Sequence, residues 1–194
     1  MRKFPIVGLL LLVLLGGCLG NGNQAETIKN VDEFNSLQKV AEVKQGDFIY
    51  RLISDKEEYK GNEPVKLYAT IEYIGERKEI TLFHGFTPLG FQLLEKTRNY
   101  KIDQAMPAIL KSAVYKKGVP VRTDYTKSGG YGETDTKAYT NFIKELWSDG
   151  LPTGYYVVDG SAQFYTESPV GAEPDKNQIM INAQIDFKVV RLVG

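Results

Sequence analysis

From Phe48 onward, apolar and polar residues alternate with a period of two. Phe48, Tyr50 and Leu52 share one side of an extended chain, with Ile49, Arg51 and Ile53 on the other, which predicts a strand. Ser54 to Lys60 is polar and reads as a turn. Next, Val65, Leu67, Ala69, Ile71 and Tyr73 alternate with Lys66, Tyr68, Thr70 and Glu72, the pattern of a strand with one buried and one wet face. Gly75 to Lys78 turn the chain into a strand where Ile80, Leu82 and His84 alternate with Glu79, Thr81 and Phe83. Gly90 to Glu95 predicts a further strand, and Ala113 to Lys116 and Val119 to Thr123 predict weaker extended pieces.

The period then changes. Tyr139, Phe142, Ile143, Leu146 and Trp147 fall on one helical face, which predicts an amphipathic helix over about 137–148 with all five as core residues. Asp135 or Thr136 is its cap and Gly150 its stop. Gly154 to Tyr165 and Ile179 to Val193 are long, β-branched and aromatic strands, separated by a polar loop from Ser168 to Asp175. Ile28, Val31, Phe34, Leu37 and Val40 recur every three residues, with Asn30 and Glu33 placed as a cap. Residues 26–45 therefore form either a helix or an extended tether draping an edge strand. About six to eight strands, one helix and no strand-helix alternation predict an antiparallel β-sandwich rather than a parallel α/β sheet.

The first residues follow another pattern. Met1, Arg2 and Lys3 precede an apolar stretch from Phe4 to Leu15. About a dozen residues is too short to span a bilayer, which takes about 20 in a helix. The ending Leu15-Gly16-Gly17-Cys18 resembles the lipobox of bacterial lipoproteins. The resemblance implies cleavage between Gly17 and Cys18, with Cys18 becoming a lipidated N-terminus that holds the protein to the cell membrane on its extracytoplasmic face. The chemistry agrees: two glycines let a peptidase close on extended backbone, and a thiol forms the thioether to a diacylglycerol. The expected organisation is a signal over 1–17, a tether and N-terminal segment over 18–45, and a sandwich over 46–194.

Composition narrows the function. The chain holds 24 basic and 24 acidic side chains, and losing Arg2 and Lys3 with the signal leaves a small acidic excess. The absence of a basic excess argues against nucleic acid. It also predicts that the domain gains no electrostatic help in docking flat on an anionic membrane and stands off from it. One cysteine in the chain excludes an intramolecular disulfide and a cysteine-rich zinc site. Twelve Tyr and nine Phe suffice for a packed core.

Two stretches carry a second resemblance. Ser54-Asp55-Lys56-Glu57-Glu58-Tyr59-Lys60-Gly61-Asn62-Glu63-Pro64-Val65-Lys66-Leu67 looks like the first turn and second strand of immunoglobulin-like domains in secreted bacterial proteins. Leu151-Pro152-Thr153-Gly154-Tyr155-Tyr156 is similar to the Leu-Pro-x-Gly-x-Tyr lead-in to a late strand of those domains. There the Tyr bonds back across the corner, as in a tyrosine corner. The domain named after the intracellular proteinase inhibitor of bacilli is the relative these stretches point to. Both motifs are structural and leave function open.

Candidate chemistry is sparse. His84 is the only histidine and has no metal-ligand spacing beside it, so it reads as a strand-end residue facing the polar side. Ser128-Gly129-Gly130-Tyr131-Gly132 lacks the Lys-Ser/Thr of a phosphate loop and reads as surface loop. The long insertion from Leu94 to Thr136 is where binding would be placed, and Lys127 to Asp135 is expected to be dispensable for folding. The expectation is a lipid-anchored, non-catalytic binding module for an envelope protein or ligand, with no metal and no cofactor. Alternatives are a protease-inhibitor-like or enzyme-regulating domain and, third, a small cell-envelope hydrolase.

Overall fold

A computed structural model describes residues 37–61, 63–148, 150–167 and 177–191. The expected signal and Cys18, most of the N-terminal segment, the loop from Ser168 to Asp175, and Leu192 and Val193 lie outside the described residues. In chain order the elements are β1 (Val40–Gln45), β2 (Phe48–Ser54), β3 (Glu58–Lys60), β4 (Leu67–Tyr73), β5 (Glu79–His84), β6 (Leu89–Glu95), β7 (Tyr100–Ile102), β8 (Lys111–Lys116), β9 (Val121–Asp124), α1 (Lys137–Ser148), β10 (Gly154–Tyr165) and β11 (Gln178–Val190).

Two sheets face one another as a mainly antiparallel β-sandwich with a single short helix among the described residues. The first sheet runs β1-β2-β4-β9, and the second runs β3-β11-β10-β5-β8, with β6 on β10 and β7 on β6. The expected alternation is present in both. Tyr50, Leu52, Ala69 and Ile71 of the first sheet meet Tyr156, Val158, Phe164 and Phe187 of the second in one fully buried core. Phe48 and Phe164 cross the interface edge to face with centroids 4.7 Å apart, a favoured aromatic geometry. The sheets approach closely because β10 carries Gly160 in its inward phase. A Cβ there would lie 2.4 Å from the Tyr50 hydroxyl and 2.7 Å from Leu52 Cδ2.

Four features organise the rest. First, β5 to β8 form one long hairpin: Glu79 opposes Lys116, and Glu95 opposes Tyr100 in the same register. Pairing lapses over 85–92 and 103–110, eight residues on each arm, so the lapse leaves the register intact. Second, the end of β8 crosses into the first sheet. Lys117 N–H donates to Lys78 O, and Gly118 N–H donates to Tyr73 O at 2.8 Å.

Third, the chain before β1 is clamped to both sheets. Asp186 N–H donates to Gln38 O, Gln38 N–H donates to the Asp186 carboxylate, and Ser54 N–H donates to Lys39 O. Fourth, the corner before β10 closes as the resemblance implied: the buried Tyr156 hydroxyl donates to Pro152 O at 2.6 Å.

The same corner holds a buried carboxylate. Glu95 is wholly inaccessible and accepts from Thr97 N–H at 2.8 Å, the Thr97 hydroxyl, Arg98 N–H at 3.0 Å and Arg98 Nη1 at 3.2 Å. Arg98 Nη1 also donates to Thr153 O at 2.9 Å, and Lys96 N–H to Tyr155 O. Gly154 lies directly over this carboxylate, where a Cβ would sit 2.5 Å from Glu95 Oε1.

One open reading is settled where residues are described, and two expectations change. Residues 40–45 are extended in β1, paired with β2 across a turn at Gly46, whose φ is 55°. Ala41 and Val43 pack on the core at a spacing of two, and this overrides the period-three spacing of Leu37 and Val40. The polar segment 54–60 contains β3, parallel to residues 188–190 of β11, with Tyr59 buried. Its hydroxyl shares a hydrogen bond with the Ser54 hydroxyl. Trp147 lies 51% exposed on α1, whereas Phe142, Ile143 and Leu146 are buried. It sits at the margin of the apolar stripe, where its indole N–H donates to Gly129 O at 3.0 Å. Among the described residues no helix is long and apolar enough to cross a membrane.

Candidate functional site

The outer face of the second sheet carries a groove of about 720 Å³ between β6, β10 and β11, bordered by residues 103–106. Strand phase builds it. In β10 the inward positions are even-numbered, so Asp159, Ser161 and Gln163 point out, and on β11 Met180, Asn182 and Gln184 do the same. Register then sets them side by side: Asp159 lies between Gln184 and Gln92, and Ser161 between Asn182 and Gly90. Gln184 Nε2 donates to Asp159 Oδ1 at 2.7 Å, and Gln92 Nε2 to Asp103 Oδ1 at 2.8 Å. Gln104 turns back so that its Oε1 accepts from Phe91 N–H at 3.2 Å, satisfying a strand group where pairing lapses.

Gly90 keeps the floor low. A Cβ there would lie 3.0 Å from Ser161 Oγ and 3.6 Å from Met106 Cε, so any side chain would fill the groove. The lining combines amides, one hydroxyl and two carboxylates with the thioethers of Met106 and Met180; no Lys, Arg or His is among these residues. Each amide offers a donor and an acceptor together, and the methionines offer adaptable apolar contact. Such a surface offers hydrogen bonding and shape, with most of its groups held on strands.

His84 differs from expectation. It is buried on the inward phase of β5 next after Leu82. Its Nδ1 donates to Gly85 O at 2.8 Å, and its Nε2 is buried without a partner among the described residues. The loop over 127–135 is also less free than expected. Gly129, at φ 115°, nestles so close that a Cβ would meet Ile102 at 3.2 Å and Ile143 at 3.4 Å. Lys127 Nζ donates to Leu146 O at 3.1 Å, and Gly132 N–H to Asp135 Oδ2 at 2.7 Å. The loop covers the inner side of α1, so its removal would unpack the helix. Thr136 caps α1 by accepting from Tyr139 N–H at 3.2 Å.

Several tyrosines are electrostatically constrained. Burial raises the pKa of Tyr50 and of Tyr156 well above the ordinary tyrosine value. Tyr155 is raised by burial and by its hydrogen bond to the Asp186 carboxylate. These phenols stay protonated and act structurally at neutral pH.

No known family model matches the chain, and no curated protein is similar to it. The sandwich itself is compatible with an immunoglobulin-like domain. No local pattern in the sequence marks the groove, because the neighbours of β10 on β6 and β11 depend on long-range register.

Proposed function

We propose that this protein is a lipid-anchored extracytoplasmic binding module of immunoglobulin-like fold, held to the cell membrane through Cys18 and acting without catalysis. The observation that carries the binding reading is the open groove on the second sheet. Its hydrogen-bonding side chains are fixed by cross-strand pairing and its floor is kept clear by Gly90. Preorganised polar groups on a rigid sheet lower the ordering cost of binding. The anchor reading rests on the Leu15-Gly16-Gly17-Cys18 sequence, and the immunoglobulin-like assignment gains support from the Tyr156 corner.

A photo-crosslinking residue placed at Asn182 tests the groove in intact cells. Capture of one defined ligand or protein, lost when Gln163→Arg blocks the floor, is expected. Equal capture from a control position at Lys44 would refute the groove. A captured protease would favour the inhibitor-like alternative. Turnover in a broad hydrolase screen would overturn the non-catalytic reading. Cys18→Ala is expected to release the protein or leave an uncleaved precursor, and a wild-type mass showing no lipid would refute the anchor.

A further inference from the structure

The long hairpin of the second sheet is chemically unlike the rest of the chain. The 24 acidic residues are spread along the sequence, yet none falls from Ile80 to Leu94 or from Gln104 to Thr123. These stretches are the two arms of the hairpin and its passage into β9. Lys111, Lys116 and Lys117 lie in them, exposed and without an ion pair among the described residues. The nearest carboxylates along the hairpin are Glu79, opposite Lys116, and Asp103, which is held by Gln92.

Exposed apolar side chains recur along the same stretch, from the lapse in hairpin pairing through β8 to the start of β9. Phe86, Ile109, Leu110, Val114, Val119 and Val121 are large, apolar and exposed, with Phe86 at 48% and Leu110 at 51%. Phe86, Ile109 and Leu110 stand where hairpin pairing lapses, and the Lys111 ammonium lies 4.3 Å from the centre of the Phe86 ring. Exposed apolar side chains grouped at a lapse in pairing, as Phe86, Ile109 and Leu110 are, mark an interaction site. Three lysines faced across the hairpin by one acid, Glu79 opposite Lys116, suit an anionic surface.

We infer that this edge, from Phe86 across β8 to Val121, docks on an anionic lipid bilayer, with Phe86, Ile109 and Leu110 entering the interface and Lys111, Lys116 and Lys117 meeting phosphate headgroups. The inference rests on the anchored reading of Cys18 and deepens it. The anchor does not set the docking face, because the 19 Cα–Cα steps from Cys18 to Leu37 allow a reach of up to about 65 Å. A small net acidic charge therefore does not hold the domain off the membrane, since its charge is segregated. Apolar insertion with cationic flanks is the pattern of interfacial membrane binders.

The full chain, expressed in a bacterium, recovered from its membranes and checked for Cys18 lipid by mass, is reconstituted in vesicles of phosphatidylglycerol or phosphatidylcholine. A Phe86→Trp reporter in a Trp147→Phe background is read by quenching from brominated acyl chains, with Trp147 of the unchanged chain as the reference. Strong quenching of the reporter on phosphatidylglycerol, with Trp147 unquenched, is expected. Lys111→Gln with Lys117→Gln should shift the docked-to-free ratio about 25-fold toward free, about fivefold for each lysine neutralised.

No reporter quenching in a chain that carries its lipid would overturn the docking face while leaving the anchor intact. Equal quenching on both lipids, unmoved by the lysine changes, would overturn the role of charge. An unquenched reporter with concentration-dependent dimer formation would assign the edge to a second copy and overturn the inference. Quenching in a chain without lipid would refute the anchor and leave the docking face standing.

Discussion

Replacing Gly154 by alanine isolates the corner on which β10 begins. In an ordinary strand this change is harmless or gains about 0.4–1 kcal/mol by restricting the unfolded chain. Here the added Cβ lies 2.5 Å from Glu95 Oε1 and 2.9 Å from Glu95 Cδ. A long side chain could normally swing aside, but this carboxylate is inaccessible and fixed by Thr97 and Arg98. Overpacking costs about 1–3 kcal/mol, and weakening hydrogen bonds to a charged group adds about 1.5–3 kcal/mol.

We therefore expect Gly154→Ala to cost about 3–4 kcal/mol. This is a large part of a domain stability of about 5–15 kcal/mol, and it lowers Tm by about 10 °C for a chain of this size. Urea unfolding followed by circular dichroism is the assay, with the midpoint falling and the slope unchanged. The cycle with Glu95→Ala decides the cause. Truncating Glu95 is itself costly, because Arg98 loses its buried partner, but it removes the colliding atoms. Gly154→Ala should then cost under about 1 kcal/mol in that background, a coupling of at least about 2 kcal/mol. Additive costs, or a loss below about 1 kcal/mol for Gly154→Ala alone, would refute the reasoning.

Further outcomes follow from the same packing. Tyr156→Phe removes the 2.6 Å bond to Pro152 O and leaves a buried carbonyl unmet, costing about 1–2 kcal/mol by urea midpoint. Tyr50→Phe is expected to be neutral or to gain up to about 1 kcal/mol, since that hydroxyl is buried without a partner among the described residues; a loss above about 1 kcal/mol would count against it. Because burial raises the folded pKa of Tyr50 and Tyr156, the unfolded chain releases their protons first. Stability is therefore full below about pH 10 and falls as pH rises past it, by up to about 1.4 kcal/mol per unit for each group. The tyrosinate absorbance that belongs to these two, taken as the difference between the unchanged chain and its Tyr50→Phe and Tyr156→Phe variants, should accordingly rise in step with unfolding rather than ahead of it.

Where a pattern was long and repeated, the sequence carried the fold. Helix α1 has the limits read from its periodicity, and strand β10 those read from its long run of β-branched and aromatic residues, because twelve consistent residues leave little choice. Short or long-range features were hidden. Strand β3 has three residues and is defined by a parallel partner about 130 positions away. The inward phase of His84 was present in its alternation with Leu82, but a lone polar residue at a strand end reads outward until the fold covers it. Trp147 completed a helical stripe by spacing alone, and only the packing of Gly129 shows that the stripe ends before it. The groove needed three strands in register, which no local window contains.

The clamp at Gln38 has a mechanical consequence. Any pull transmitted along residues 18–36 reaches the folded domain at Gln38 and Lys39, whose bonds go to Asp186 in one sheet and Ser54 in the other. Tension is thus divided between both sheets at the first described residues, since the Lys39–Ser54 bond continues the β1–β2 register while Gln38 is held by Asp186 of β11. If residues 18–36 tether the domain as proposed, the load enters first where both sheets hold the chain.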